Sequence, residues 1–162
     1  MDYLWTPWRM EYIQDKKDDN GCVFCKAWGA EEDENNLIFS RGEHVFMILN
    51  RFPYTSGHVM CVPYAHVERL DELSQAARIE MIELSNRSCE VLQKVYDPDG
   101  FNVGLNLGKM AGAGIDSHLH MHIVPRWLGD TNFMACLGNT RILPESLPET
   151  FARVKNAWEQ LG

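Results

Sequence analysis

Between positions 37 and 62 the apolar residues fall into three short runs, Leu37 to Phe39, Val45 to Leu49 and His58 to Val62, interrupted by Arg41-Gly42 and by the stretch Pro53 to Gly57. Runs of this length bounded by Gly and Pro predict strands joined as an antiparallel meander. The period then changes. From Leu70 to Val95, Leu73, Ala77, Met81, Leu84, Val91, Leu92 and Val95 recur with helical spacing and predict one amphipathic helix. Ser74 is placed to cap its start, and Asp97-Pro98-Asp99-Gly100 to end it. Two more strands, Phe101 to Leu107 and His118 to Pro125, flank the glycine-rich stretch Gly108 to Gly114. Phe151, Val154, Ala157, Trp158 and Leu161 predict a last helix after Pro148. Strands, helix, strands and helix in that order predict an α+β domain, a five-stranded antiparallel sheet with two helices packed on it.

A chain of 162 residues can bury a core as one domain. The flanking segments 1–21 and 127–162 are expected to pack on it or on a partner subunit. Trp5, Trp8, Trp127, Phe133 and Met134 are a large apolar allotment for such flanks, and aromatic residues and Met are enriched at interfaces. The start of the chain carries Asp2 and two tryptophans where a signal peptide would have a basic and then an apolar stretch, so a cytoplasmic location is expected. No apolar run approaches a membrane span, and no membrane partner is expected. A formal net charge of -8 disfavours binding to nucleic acid, because Lys and Arg supply most of that affinity. A local site can still be cationic enough for a small phosphorylated ligand.

Candidate chemistry gathers in two places. In His118-Leu119-His120-Met121-His122-Ile123-Val124-Pro125-Arg126 three histidines alternate with apolar residues. In a strand this puts three imidazoles on one face and Leu119, Met121 and Ile123 on the other. Imidazole suits phosphate chemistry near neutral pH as nucleophile, proton donor or hydrogen-bond donor. A half-buried strand with polar residues facing water, or an all-histidine metal site, would use the same pattern. The second place is Cys22-Val23-Phe24-Cys25, whose spacing lets two thiolates grip one tetrahedral ion, with imidazoles able to complete it. The remaining cysteines, Cys61, Cys89 and Cys136, read as packing residues. The five together do not form a disulfide framework.

The string His-x-His-x-His-Ile-Val-Pro-Arg resembles the signature of the histidine triad family, nucleotide hydrolases and transferases. The resemblance extends to Asn50-Arg51-Phe52-Pro53-Tyr54-Thr55-Ser56-Gly57-His58 and on to His66, and covers roughly Cys22 to Asp130. The ends of the chain look most like the bacterial branch that includes diadenosine tetraphosphate phosphorylases. The resemblance implies the histidine triad fold, with His120 as the nucleophile forming a nucleotidyl-imidazole. It implies that His122 and His58 hold phosphate oxygens, that Asn50 contacts ribose and that Asn106 contacts phosphate. It also implies a structural zinc on Cys22, Cys25, His66 and His118, no organic cofactor, and a homodimer or larger homo-oligomer. In that dimer the central helices pack together and edge strands continue one sheet.

Backbone N–H groups around Gly112 and Gly114 are placed to stabilise charge on phosphoryl oxygens. Here the chain departs from the family. Where many members carry Gly-Gln-Ser or Gly-Gln-Thr, it has Gly112-Ala113-Gly114-Ile115-Asp116-Ser117, leaving Ser117 or a backbone amide as the leaving-group contact. Lys109 is a candidate cation for a polyphosphate tail. The leading expectation is cleavage of a dinucleoside polyphosphate resembling diadenosine tetraphosphate, with water or phosphate as acceptor. Hydrolysis of adenosine phosphoramidates and a nucleotide-binding sensor with little turnover are the competing readings.

Overall fold

The computed structural model describes residues 21–130 and 144–161. The expectations for Trp5, Trp8, Phe133, Met134 and Cys136 concern positions outside these residues. In chain order the elements are helix α1 (Val23–Gly29), strands β1 (Ile38–Arg41), β2 (Val45–Leu49) and β3 (Val59–Pro63), helix α2 (Gln75–Tyr96), strands β4 (Gly100–Leu105) and β5 (Met121–Arg126), and helix α3 (Leu147–Leu161). The strands form one antiparallel sheet in the order β1-β2-β3-β5-β4. The five-stranded sheet and its two expected helices are present. A third helix, α1, was not expected, because seven residues are too few to establish a helical period.

Every residue of β2 and β3 is buried. Val45, Met47, Leu49, Val59 and Cys61 join the main core under α2 and α3, with Leu73, Met81, Leu92, Phe151 and Trp158. Phe46, Ile48, Met60 and Val62 point the other way, into a second cluster completed by Phe24 of α1. The unbroken apolar runs in the sequence are thus the mark of a sheet covered on both faces.

Local chemistry fixes the ends of α2. The Ser74 hydroxyl accepts from the Ala77 N–H at 3.1 Å, as an N-cap should. Asp97 turns left-handed, with φ 45°, just before Pro98. Leu70 to Glu72, where the apolar pattern begins ahead of the Ser74 cap, form a separate single turn. From the first half of α2, Glu80 reaches the β1–β2 turn. Its carboxylate accepts from the backbone N–H groups of Glu43, His44 and Val45, at 2.7, 2.6 and 3.2 Å.

The last strand begins later than its pattern implies, at Met121 and not His118. The Leu119 N–H donates to the Val67 carbonyl at 2.7 Å, so His118 to His120 bond to the chain beyond β3 instead of continuing the ladder. Alternation survives this: Leu119, Met121 and Ile123 enter the main core, while Phe24 on the opposite face touches His118 and His120. Trp127, expected to pack on the domain or on a partner, packs within the chain, donating from its indole to the Tyr96 carbonyl at 3.3 Å.

Candidate active site and metal-ligand cluster

The chemistry-bearing face is assembled from three directions. The extended segment before β5 supplies His118 and His120, β5 supplies His122, and the turn ahead of β3 supplies His58. His120 and His58 are almost fully buried. The ring of His120 lies 4.8 Å from that of His122, and His122 lies 5.1 Å from His58.

Main-chain groups set the proton positions. A carbonyl can only accept, so His120 Nδ1, 2.8 Å from the His118 carbonyl, carries the hydrogen and leaves the lone pair on Nε2. His58 Nδ1 accepts from the Tyr54 N–H at 3.1 Å, so its hydrogen sits on Nε2, which donates to His122 Nδ1 at 2.9 Å. His122 in turn presents an Nε2–H donor. Burial, with a smaller contribution from neighbouring His120, holds the His122 pKa down to about 4. The ring is therefore neutral at physiological pH, with that donor in place.

Asn50 lies beside this pair, with Nδ2 3.4 Å from His58 Nε2, and closes the turn by accepting from the Phe52 N–H at 2.9 Å. Asn106 directly follows β4, one residue beyond the Leu105–Met121 pair. Gly112, with φ 86°, ends the short turn Lys109–Ala111, and Gly114 and Ser117 lie on the connection from there to His118. Lys109 is largely exposed and pairs with Asp116 at 3.7 Å. Two contributors escaped the sequence reading. Phe24 sits 5.1 Å from the ring of His120 and 5.3 Å from that of His118, and Tyr54 sits 4.7 Å from His58. The signal for Phe24 was its place between two cysteines.

Cys22, Cys25, His66 and His118 come together, with one ligand atom from each within 4.8 Å of all the others. Cys22 Sγ and His118 Nδ1 are 3.2 Å apart, Cys25 Sγ and His66 Nδ1 3.4 Å, Cys25 Sγ and His118 Nδ1 3.6 Å, and the two imidazole nitrogens 3.2 Å. Ordinary zinc–sulfur and zinc–nitrogen bonds at tetrahedral angles require edges of about 3.3 to 3.8 Å. The fit is close. His118 Nε2–H donates to the Pro63 carbonyl at 2.9 Å, which leaves Nδ1 deprotonated and aimed at the cluster, as a metal ligand needs. Burial pushes the Cys25 thiol up, and the neighbouring buried indole N–H of Trp28, which has no other acceptor among the described residues, offsets part of that shift.

With this geometry in view, comparison with known proteins is direct. The HIT domain family model matches residues 31–127. An AP-4-A phosphorylase of Mycobacterium tuberculosis is 38% identical over 162 residues, covering 96% of this chain and 83% of that protein. An uncharacterised HIT-like protein of Methanocaldococcus jannaschii is 36% identical over 109 residues, 67% of this chain and 81% of its own. Among solved structures, a Zn-bound histidine triad family protein from Mycobacterium smegmatis superposes with a TM-score of 0.70 at 27% identity, covering 87% of this chain and 95% of that one. The chain belongs to the histidine triad, or HIT, family.

The His122 environment yields a pH prediction. Its folded pKa of about 4 lies below the ordinary 6.5, so between those values the unfolded chain takes up a proton that the folded one refuses. The contribution is complete above 6.5 and is lost as pH falls toward 4, by about 3 kcal/mol at most. Urea unfolding at pH 7 and pH 5 should show wild-type protein losing about 1–2 kcal/mol more than His122→Asn. Equal losses in the two proteins would place the His122 pKa near its ordinary value.

Proposed function

We propose that this protein is a nucleotidyl hydrolase or transferase that cleaves a dinucleoside polyphosphate of the diadenosine tetraphosphate kind at the α-phosphorus. The observation that carries the reading is the hydrogen bond from His120 Nδ1 to the His118 carbonyl, which leaves a nucleophilic lone pair on Nε2. In the first step Nε2 forms a bond to the α-phosphorus as the bridging P–O bond breaks. The nucleoside polyphosphate leaves as an anion, which needs no proton from the protein. His122, held neutral by burial, donates its Nε2–H to a non-bridging oxygen throughout. In the second step the acceptor oxygen attacks phosphorus, a water acceptor giving its proton to solvent, and Nε2 of His120 departs with its electron pair restored. The adjoining Asn50 would contact ribose. Asn106 and the amides of Gly112 and Gly114, with Ser117, would bind phosphate.

A direct assay tests this. Protein is incubated with diadenosine tetraphosphate, with and without inorganic phosphate, and the products are separated. ADP and ATP formed only with phosphate identify a phosphorylase; AMP and ATP identify a hydrolase; an absence of products rejects the reading. His120→Asn should abolish turnover while nucleotide affinity stays within about tenfold, roughly 1.4 kcal/mol. Substantial residual turnover removes His120 from the nucleophile's role.

We also propose that Cys22, Cys25, His66 and His118 hold one structural zinc ion, which would supply a fixed cross-link and no reacting group, since four protein ligands leave no open position. The cross-link ties α1, and with it Phe24, to the histidine face. Protein purified without chelator should contain about one zinc per chain. Cys22→Ser should lower the melting temperature more than it alters kcat at saturating substrate. Metal analysis that finds none rejects the site.

Finally, the single folded unit is proposed to act as a homodimer through α2 and β4. β4 is an edge strand with Asn102, Val103 and Gly104 exposed, and Ile79 and Ile82 on α2 are 54% and 56% exposed. Light scattering at micromolar concentration should give at least twice the 18.6 kDa chain mass. A clean monomer overturns the assembly alone.

A further inference from the structure

Helix α3 and the residues before it lie beyond the matched family domain, which ends at position 127. We infer that Glu145, in this extension, is a positioning residue that acts through Tyr96 to fix the turn presenting His58. The inference rests on the proposed role of His58 in the active site.

The argument starts at Gly57, immediately before His58. Its φ of 75° is left-handed, and a Cβ there would lie 2.9 Å from Tyr96 Cε2 and 3.0 Å from Leu92 Cδ2. The Tyr96 ring and Leu92 are therefore the surface on which Gly57 rests. The turn's outline is set by its own bonds, the Asn50 N–H to the His58 carbonyl and the Thr55 hydroxyl to the Pro125 carbonyl, both at 2.9 Å. A cavity of about 170 Å³ adjoins it, lined by Asn50, Ser56, His58, Glu145 and Thr150, and among the described residues the buried Ser56 hydroxyl has no hydrogen-bond partner. Where close packing among the described residues is incomplete, the seat of Gly57 depends on what holds the Tyr96 ring.

Glu145 is what holds it. The Tyr96 hydroxyl donates to Glu145 Oε2 at 2.5 Å, and the Thr150 hydroxyl donates to the same oxygen at 2.8 Å. Arg153 Nη1 donates to Oε1 at 2.8 Å, Nη2 donates to the Val95 carbonyl at 2.8 Å, and the guanidinium lies 4.8 Å above the Tyr96 ring. Burial pushes the Glu145 carboxyl up, but hydrogen bonds from Tyr96, Arg153 and Thr150 outweigh it and hold the group below its ordinary range. The carboxylate therefore anchors the end of α2 to the start of α3. Movement of the turn on the order of 1 Å would break the His58 Nε2–H to His122 Nδ1 bond, which crosses from the turn to β5, and displacements of that size can cost large factors in rate. The His122 tautomer, which that bond sets, would no longer be fixed.

Histidine imidazole ¹⁵N shifts report tautomers without reference to turnover. Wild-type protein should show a single tautomer at His122. Glu145→Ala and Tyr96→Phe should show averaged shifts there, with kcat lowered about tenfold and KM changed less than about twofold. Glu145→Gln, whose amide oxygen still accepts from Tyr96 and Thr150, should recover most of both signals. Unchanged imidazole shifts in folded Glu145→Ala or Tyr96→Phe overturn the inference, whatever the loss of thermal stability. If Glu145→Ala fails to fold, Tyr96→Phe, which keeps the ring under Gly57, decides. Averaged shifts in a protein without dinucleotide turnover would uphold the anchor while rejecting the proposed reaction.

Discussion

His118, His120 and His58 each commit one ring nitrogen to a main-chain partner: the Pro63 carbonyl, the His118 carbonyl and the Tyr54 N–H. A buried imidazole without such a bond could carry its proton on either nitrogen, and the two tautomers have opposite chemistry at a given edge. Here the backbone makes the choice. It leaves His118 with a lone pair toward the cysteines, His120 with a lone pair on Nε2, and His122, one bond further along, with a donor. The roles proposed for them, ligand, nucleophile and donor, would thus be distinguished by what lies behind each ring, although the three side chains are identical.

The sheet makes that discrimination possible because it is covered on both faces. α2 and α3 seal one face, so Leu119, Met121 and Ile123 anchor the histidine segment from below. α1 lies against the other face and brings Phe24 onto His118 and His120. The cysteine–histidine cluster and the triad are therefore neighbouring parts of one surface, joined through His118, whose ring belongs to the first and whose carbonyl orients the second.

Much of this was legible in the sequence. Strand and helix periods, the Ser74 cap and the alternation of His118, His120 and His122 followed from spacing alone, and His66 and His118 joined the cysteine pair as the family resemblance implied. The missing parts share a physical cause. α1 is too short to show a period, and the displaced start of β5 depends on one long-range bond, Leu119 to Val67. Tyr54 acts through its main-chain N–H, a group every residue but proline possesses, so its identity carried no signal. Glu145 sits in a stretch whose local pattern gives only the approach to a helix; its partners Tyr96 and Arg153 converge on it only in the folded chain.

The burial of every residue in β2 and β3 alters what must specify their pairing. In a sheet with one wet face, a slip of one residue turns apolar side chains to water and is strongly penalised. Here such a slip would exchange one dry face for the other, and solvent would scarcely distinguish the two alignments. Discrimination must come from the strand ends, where Glu80 grips the turn before Val45 and the Asn50–His58 turn closes on its own backbone. The polar groups that shape the site at one end of these strands thereby also count the residues between them.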